Sequence, residues 1–170
     1  GTGPNSAYEG INYVYTEASS LNFPYKRAGI ISPCLNLSAY TNPVLHFWYH
    51  MYDNPADGVG QGTFSVDVST DNGTTWTDDV WFRSGSQANQ WLEAVVDLSS
   101  YNGSEVLVRL RVITGNSWQS DVAVDMLSFL GGPVSPNGVV LPTVADSGLH
   151  TFIYNIQGCT DTVNIYVKPI

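Results

Sequence analysis

Charge is scarce in this 170-residue chain, and what there is leans one way. Only 12% of residues are charged, and six Lys and Arg stand against fifteen Asp and Glu, a formal net charge of -9. The six cations (Lys26, Arg27, Arg83, Arg109, Arg111 and Lys168) form no run. A nucleic-acid ligand or an anionic membrane surface would need a basic patch, so both are excluded as partners. No apolar stretch approaches the roughly 20 residues of a spanning helix, so no membrane insertion is expected. Cysteine is nearly absent. Cys34 and Cys159 lie far apart, and no Cys or His spacing suits zinc. The two either pair, closing a loop of about 125 residues worth on the order of 4–5 kcal/mol in an oxidising compartment, or remain buried thiols. GxSxG and HExxH are also missing, which removes the usual marks of a serine nucleophile or a zinc protease. The opening GTGPNSAYEG has no signal-peptide character, so the chain reads as a segment of a longer precursor with covalently linked neighbouring domains.

Aromatic residues are plentiful. Five Trp, ten Tyr and six Phe are ample for a core and exclude disorder. No segment of 12 or more residues keeps a helical period. Short alternating runs recur instead, separated by Gly, Asn, Asp and Pro. Phe64, Val66 and Val68 alternate with Ser65, Asp67 and Ser69. Ala94, Val96 and Leu98 alternate with Glu93, Val95 and Asp97. Val106, Val108, Leu110 and Val112 alternate with Leu107, Arg109, Arg111 and Ile113. Each run predicts one face for a core and one mostly polar face for water. Pro43 to Tyr52 is apolar and aromatic on both faces and predicts a central strand covered on both sides. Residues 131–142 form a breaker-rich joint, followed by two strands, Leu149–Ile156 and Asp161–Lys168, around a Gln-Gly-Cys turn. Two strands bury no core alone. The tail, 131–170, therefore packs on the main sandwich of residues 1–130 or is part of an incomplete immunoglobulin-like unit.

Six ordered blocks between residues 3 and 130 resemble the MAM domain, a module of meprins, neuropilins and receptor tyrosine phosphatases. They are Gly3-Pro4 leading to YVYTEASS (Tyr13 to Ser20); AGIISPC (Ala28 to Cys34); FWYHMY (Phe47 to Tyr52); the glycine and alternating strand from Gly62 to Val68; Trp91 with Val96 and Leu98; and Asp121, Ala123 and Asp125. The resemblance implies an all-β jelly-roll sandwich of two antiparallel sheets. Two departures stand out. Family members carry more cysteines, and Met126 follows Asp125 where two adjacent aspartates are usual. The tail, SGLHTFIYNIQGCTDTVNIYV, resembles the end of immunoglobulin-like repeats of large bacterial surface proteins, which points to a secreted bacterial protein.

The candidate chemistry is that of binding. Ser69 to Trp76 matches the Asp-box pattern Ser-x-Asp-x-Gly-x-x-Trp, whose role is a hairpin corner. His46 and His50, four apart on a strand, are roughly 13 Å from each other and do not chelate one ion. Asp125, in a strand apolar on both sides, needs backbone N–H groups, Arg109 or Arg111, or a cation as partner. The loop DNPADGVG supplies Asp53, Asn54 and Asp57, oxygen ligands suited to calcium. Pairing of first and last strands would bring Glu17 near Asp125. The family resemblance implies one structural calcium or sodium ion among such acids, with Glu17, Asp53, Asp57 and Asp125 as the set. Trp81, Trp91 and Trp118 are candidates to stack on sugars. Trp81, Trp118 and Tyr52 form the predicted ligand surface, with Trp118 on the loop TGNSWQSD. No pair of acids is marked for catalysis. The expected function is a non-catalytic binding module of a secreted or cell-surface protein, recognising extracellular polysaccharide. A protein adhesion or assembly module beside a secreted protease is the first alternative, and a polysaccharide-cleaving jelly-roll the second.

Overall fold

The structure, a computed structural model, describes residues 2–58 and 60–130 and the strand backbone at 148–156 and 159–167. Its strands are β1 (Val14–Thr16), β2 (Arg27–Ile31), β3 (Leu35–Asn36), β4 (Val44–Met51), β5 (Thr63–Ser69), β6 (Thr77–Ser84), β7 (Ala88–Asp97), β8 (Glu105–Ile113), β9 (Val122–Leu130), β10 (Gly148–Ile156) and β11 (Cys159–Val167). One sheet runs β1-β9-β4-β7. The other runs β2-β8-β5-β6, with β3 also on β8. All pairings are antiparallel. The period-two pattern therefore produces the expected two-sheet sandwich. The predicted tail strands form a separate antiparallel hairpin, with Phe152 opposite Val163 and Ile156 opposite Cys159. The joint at 131–142 lies outside the described residues.

The core fills the space between the sheets. Leu45, Phe47, Tyr49 and Met51 of β4 face Phe64, Val66 and Val68 of β5, flanked by Val96, Leu110 and Val112. Phe47, Tyr49, Phe64 and Trp81 interlock edge to face, with centroids between 5.2 and 5.7 Å for the Phe47–Phe64, Phe47–Trp81, Tyr49–Trp81 and Phe64–Trp81 pairs. Aromatic edges and faces carry opposite partial charge, so such packing adds to burial. Trp81 is thus a core residue, only 9% exposed, and not part of a ligand surface. Its register is the reason: it lies opposite Val66, on the inward face.

Two departures from simple alternation decide the rest. In β9, three residues of β4 (His46 to Trp48) span four of β9 (Ser128 to Asp125), a bulge marked by Met126 at φ +53°. An extra residue flips every later side chain to the other face. Phe129 consequently packs on the core while Asp125 faces outward, although strict alternation places them together. In β5, the polar face is not wet. Ser65 and Asp67 are fully buried and Ser69 nearly so. Arg109 and Arg111 of β8, next door, lie across Asp67 at 2.7–2.8 Å and reach on to Asp78 and Asp79 of β6. The two arginines are therefore not Asp125's partners.

Candidate functional site

The outer face of the four-stranded sheet is covered by the N-terminal segment. The Tyr8 ring stacks on Trp48, with centroids 3.9 Å apart and planes at 13°. Asp125 Oδ2 accepts the Tyr8 and Glu9 N–H groups at 2.9 and 3.1 Å, and its Oδ1 accepts Met126 N–H. Trp91 Nε1 donates to the Ser6 carbonyl, and Tyr13 packs edge-on against Trp91. The backbone N–H option for Asp125 is the one realised: its carboxylate is the clasp of this strap. The strap also explains why β4 is apolar on both sides, since one face meets the core and the other meets Tyr8. His46 bonds Glu93 through Nε2 and His50 bonds Asn89, each with its own partner. His50 is buried and its Nδ1 finds no partner in the protein. Burial lowers its pKa against the pull of the Asn89 hydrogen bond, which favours the neutral ring.

The Asp-box turn is the structural corner its sequence suggests. Asp71 accepts from the Thr75 N–H and hydroxyl and from Ser69 Oγ, which together hold its carboxyl down to about 2. Asn72 and Gly73 take positive φ. Trp76 donates to the Gly73 carbonyl, and the Arg109 guanidinium lies over its ring at 4.1 Å.

One end of the sandwich is built by two loops, 52–62 after β4 and 114–121 after β8. They meet so closely that a Cβ at Gly62 would overlap the Ile113 carbonyl, and one at Gly115 would overlap that of Gly60. Buried Ser120 donates to the Gly60 and Ser117 carbonyls and accepts Gly115 N–H. Buried Gln119 accepts Asn54 N–H and donates to the carbonyls of Asp57 and Gly58. Trp118, just before them on the second loop, is 43% exposed. Tyr52 is half-buried against His50.

The expected ion ligands fall in different places. Asp53 is buried. Burial would raise its pKa, but the Gly60 and Gln61 N–H groups, with Ser86, hold it below the ordinary value. Asp57 is exposed and takes the Asn54 amide. Pairing of β1 with β9 occurs, but Thr16 lies opposite Val122, so Glu17 sits beside Asp121 and not Asp125. Glu17 accepts Ser19 N–H. As a single calcium or sodium cradle, Glu17, Asp53, Asp57 and Asp125 do not fit. Their oxygens already take N–H donors, and no group of three or more His, Cys, Asp or Glu among the described residues converges on one point. Asp121, outside the expected set, is the acid that lies beside Glu17. Burial raises its pKa, with Glu17 adding to the rise, although it accepts Ala18 N–H and the Thr2 hydroxyl.

These features define a two-sheet β-sandwich whose special residues sit on loops and one sheet face. The MAM domain profile (meprin/A5/mu) matches residues 2–133. The chain belongs to the MAM domain family. Thyroid hormone-induced protein B of Xenopus laevis is 30% identical over 134 residues, 78% of this chain and 18% of that protein. MAM domain-containing glycosylphosphatidylinositol anchor protein 1 of Gallus gallus is 29% identical over 158 residues, 88% of this chain and 16% of that protein. The chain thus spans less than a fifth of these relatives. A solved structure of TmCBM61 with beta-1,4-galactotriose superposes with a TM-score of 0.49 at 12% identity, over 74% of each chain. A likeness of that strength carries no argument about ligands.

Proposed function

We propose that this chain is a non-catalytic recognition module of a larger extracellular or cell-surface protein, and that it binds polysaccharide at the loop end beside Trp118. The observation that carries the reading is the exposed indole of Trp118, directly before two buried, hydrogen-bonded residues, Gln119 and Ser120. A Trp side chain turns about only two bonds, so it loses little entropy when a sugar ring stacks on it. Asn54, Asp57 and Asn116 lie on the same loops and offer the hydrogen-bonding groups that sugar hydroxyls need. Membership of the MAM family supports the non-catalytic part. The disulfide at Cys34 and the surface-anchored relative support the extracellular part.

Affinity electrophoresis of the intact chain against a polysaccharide panel is the test. At least one polymer is expected to retard the native protein, and Trp118→Ala is expected to abolish most of that retardation. Full mobility on every polymer, or retardation unchanged in the variant, would refute it. The competing reading is protein assembly, favoured by exposed apolar residues along β1 and β2. Sedimentation that depends on concentration would support that reading instead.

A further inference from the structure

The connection from β1 to β2, residues 17–26, holds two apolar side chains that the fold leaves in solvent. Leu21 and Tyr25 are 86% and 72% exposed. Both take positive φ, +78° and +55°, a region that suits glycine or asparagine and strains a bulky residue. A tyrosine at position 25 therefore adds strain without adding burial. Strain of this kind persists only where the surroundings enforce it, and it gathers at functional sites. The surroundings here are the loop that carries Trp118. Tyr25 N–H donates to the Thr114 and Gly115 carbonyls at 3.1 and 3.2 Å. The hydroxyl of buried Thr114 accepts Lys26 N–H and donates to the Asn22 carbonyl, and Thr114 N–H donates to the Lys26 carbonyl. Residues 22–26 are thus stitched to the start of the 114–121 loop. Gly115 and Trp118 are three residues apart, so their Cα atoms are separated by at most about 11 Å. Ser120 Oγ, accepting Gly115 N–H, folds that loop back on itself.

We propose that Tyr25 is a second aromatic contact of this end of the sandwich, and that Tyr25 and Trp118 together take an internal segment of an uncharged polysaccharide. The inference rests on the Trp118 reading above and adds its span and its ligand class. The span follows from the two exposed rings standing on separate, hydrogen-bonded loops, one after β1 and one after β8. Rings placed so meet different sugar units of one chain, whereas a chain end needs only one. The ligand class follows from charge. Exposed Glu17 and Asp57, with Asp53 and Asp121, outnumber Lys26 and Arg27 at this end, in a chain of net charge -9. A polyuronate or a sulfated polymer is repelled by that excess.

The test is affinity electrophoresis of the intact chain through xylan, galactan, mannan and mixed-linkage glucan, and through the polyanions alginate and polygalacturonate. At least one uncharged polymer, and neither polyanion, is expected to retard the wild type. Tyr25→Gly is expected to weaken that binding about three- to tenfold through the loss of one stacked ring. Its thermal midpoint should stay near the wild type's, because relief of the positive φ offsets the larger unfolded-state entropy of glycine. Tyr25→Phe should bind as the wild type does. Retardation of Tyr25→Gly equal to the wild type's, with Trp118→Ala losing it, overturns the inference and leaves the Trp118 reading standing. Full mobility in every polymer refutes that reading, and the inference falls with it. Retardation confined to alginate or polygalacturonate overturns the uncharged class. A melt moved far down in Tyr25→Gly assigns the tyrosine to the fold and overturns the inference as well.

Discussion

Replacing Asp67 by Asn isolates the charge at the centre of the five-stranded sheet. Its carboxylate is fully buried and touches both Arg109 and Arg111, and the Arg111 side chain is itself buried. Removing one partner of such a group strands the other in a poorly hydrated place, at about 3–5 kcal/mol. With a slope of about 2 kcal/mol per M urea, the midpoint at pH 7 should drop by roughly 1.5–2.5 M. The pH dependence gives an internal check. Burial pushes the Asp67 pKa up, but Arg111, the Asp79 N–H and Arg109 outweigh it and lower the pKa from 3.8 to about 2. A depressed carboxylate stabilises the fold fully above its unfolded value and loses that contribution as pH falls through its folded one. The change is about 2.5 kcal/mol at roughly 1.4 kcal/mol per unit. The gap in stability between wild type and Asp67→Asn should therefore be constant above about pH 5 and narrow between pH 4 and 2. Urea melts at half-unit steps measure this. A gap below 1 kcal/mol at pH 7, or one that does not narrow in acid, would refute the reasoning.

Other perturbations have equally definite outcomes. Asp125→Ala removes the acceptor of the Tyr8 and Glu9 N–H groups and should raise amide exchange in residues 5–13, costing about 1–3 kcal/mol by thermal melt. Gly62→Ala drives a Cβ into the Ile113 carbonyl and should lower stability by about 1–3 kcal/mol or more, because a backbone group cannot step aside as a flexible side chain can. Trp81→Phe should cost stability through the core and leave the retardation by any bound polysaccharide unchanged at a temperature where the variant is folded, whereas Trp118→Ala should do the reverse. In a fluorescence titration, Tyr8→Ala should shift tryptophan emission to the red as Trp48 loses its stacked cover.

Much of this architecture was legible in the linear chain. The alternation of Phe64, Val66 and Val68, and of Val106 to Val112, marked strands and their inward faces. The two-sided apolarity of Phe47 to Met51 marked a covered central strand, and the Asp-box residues Ser69, Asp71, Gly73 and Trp76 marked their turn. What escaped was decided by partners distant in sequence. Ser65 and Asp67 read as a wet face because polarity is visible in a sequence, whereas Arg111, 44 residues on, is not visible as a neighbour. The Met126 bulge is one residue of slip, and it alone separated Asp125 from Phe129. Trp81 looked as available for a sugar as Trp118 until the β5–β6 register turned it inward. Glu17 and Asp125 came from strands that do pair, but four residues out of step.

Hydrophobic period two by itself determined that this chain forms antiparallel sheets with a buried aromatic centre, because the side-chain period of a strand is a local property of the backbone. Which polar groups are buried, which tryptophan meets solvent and which acids share a neighbourhood were settled only when the sheets stacked. Those outcomes depend on register and on segments brought together across a hundred residues, and a one-residue shift in register reverses them.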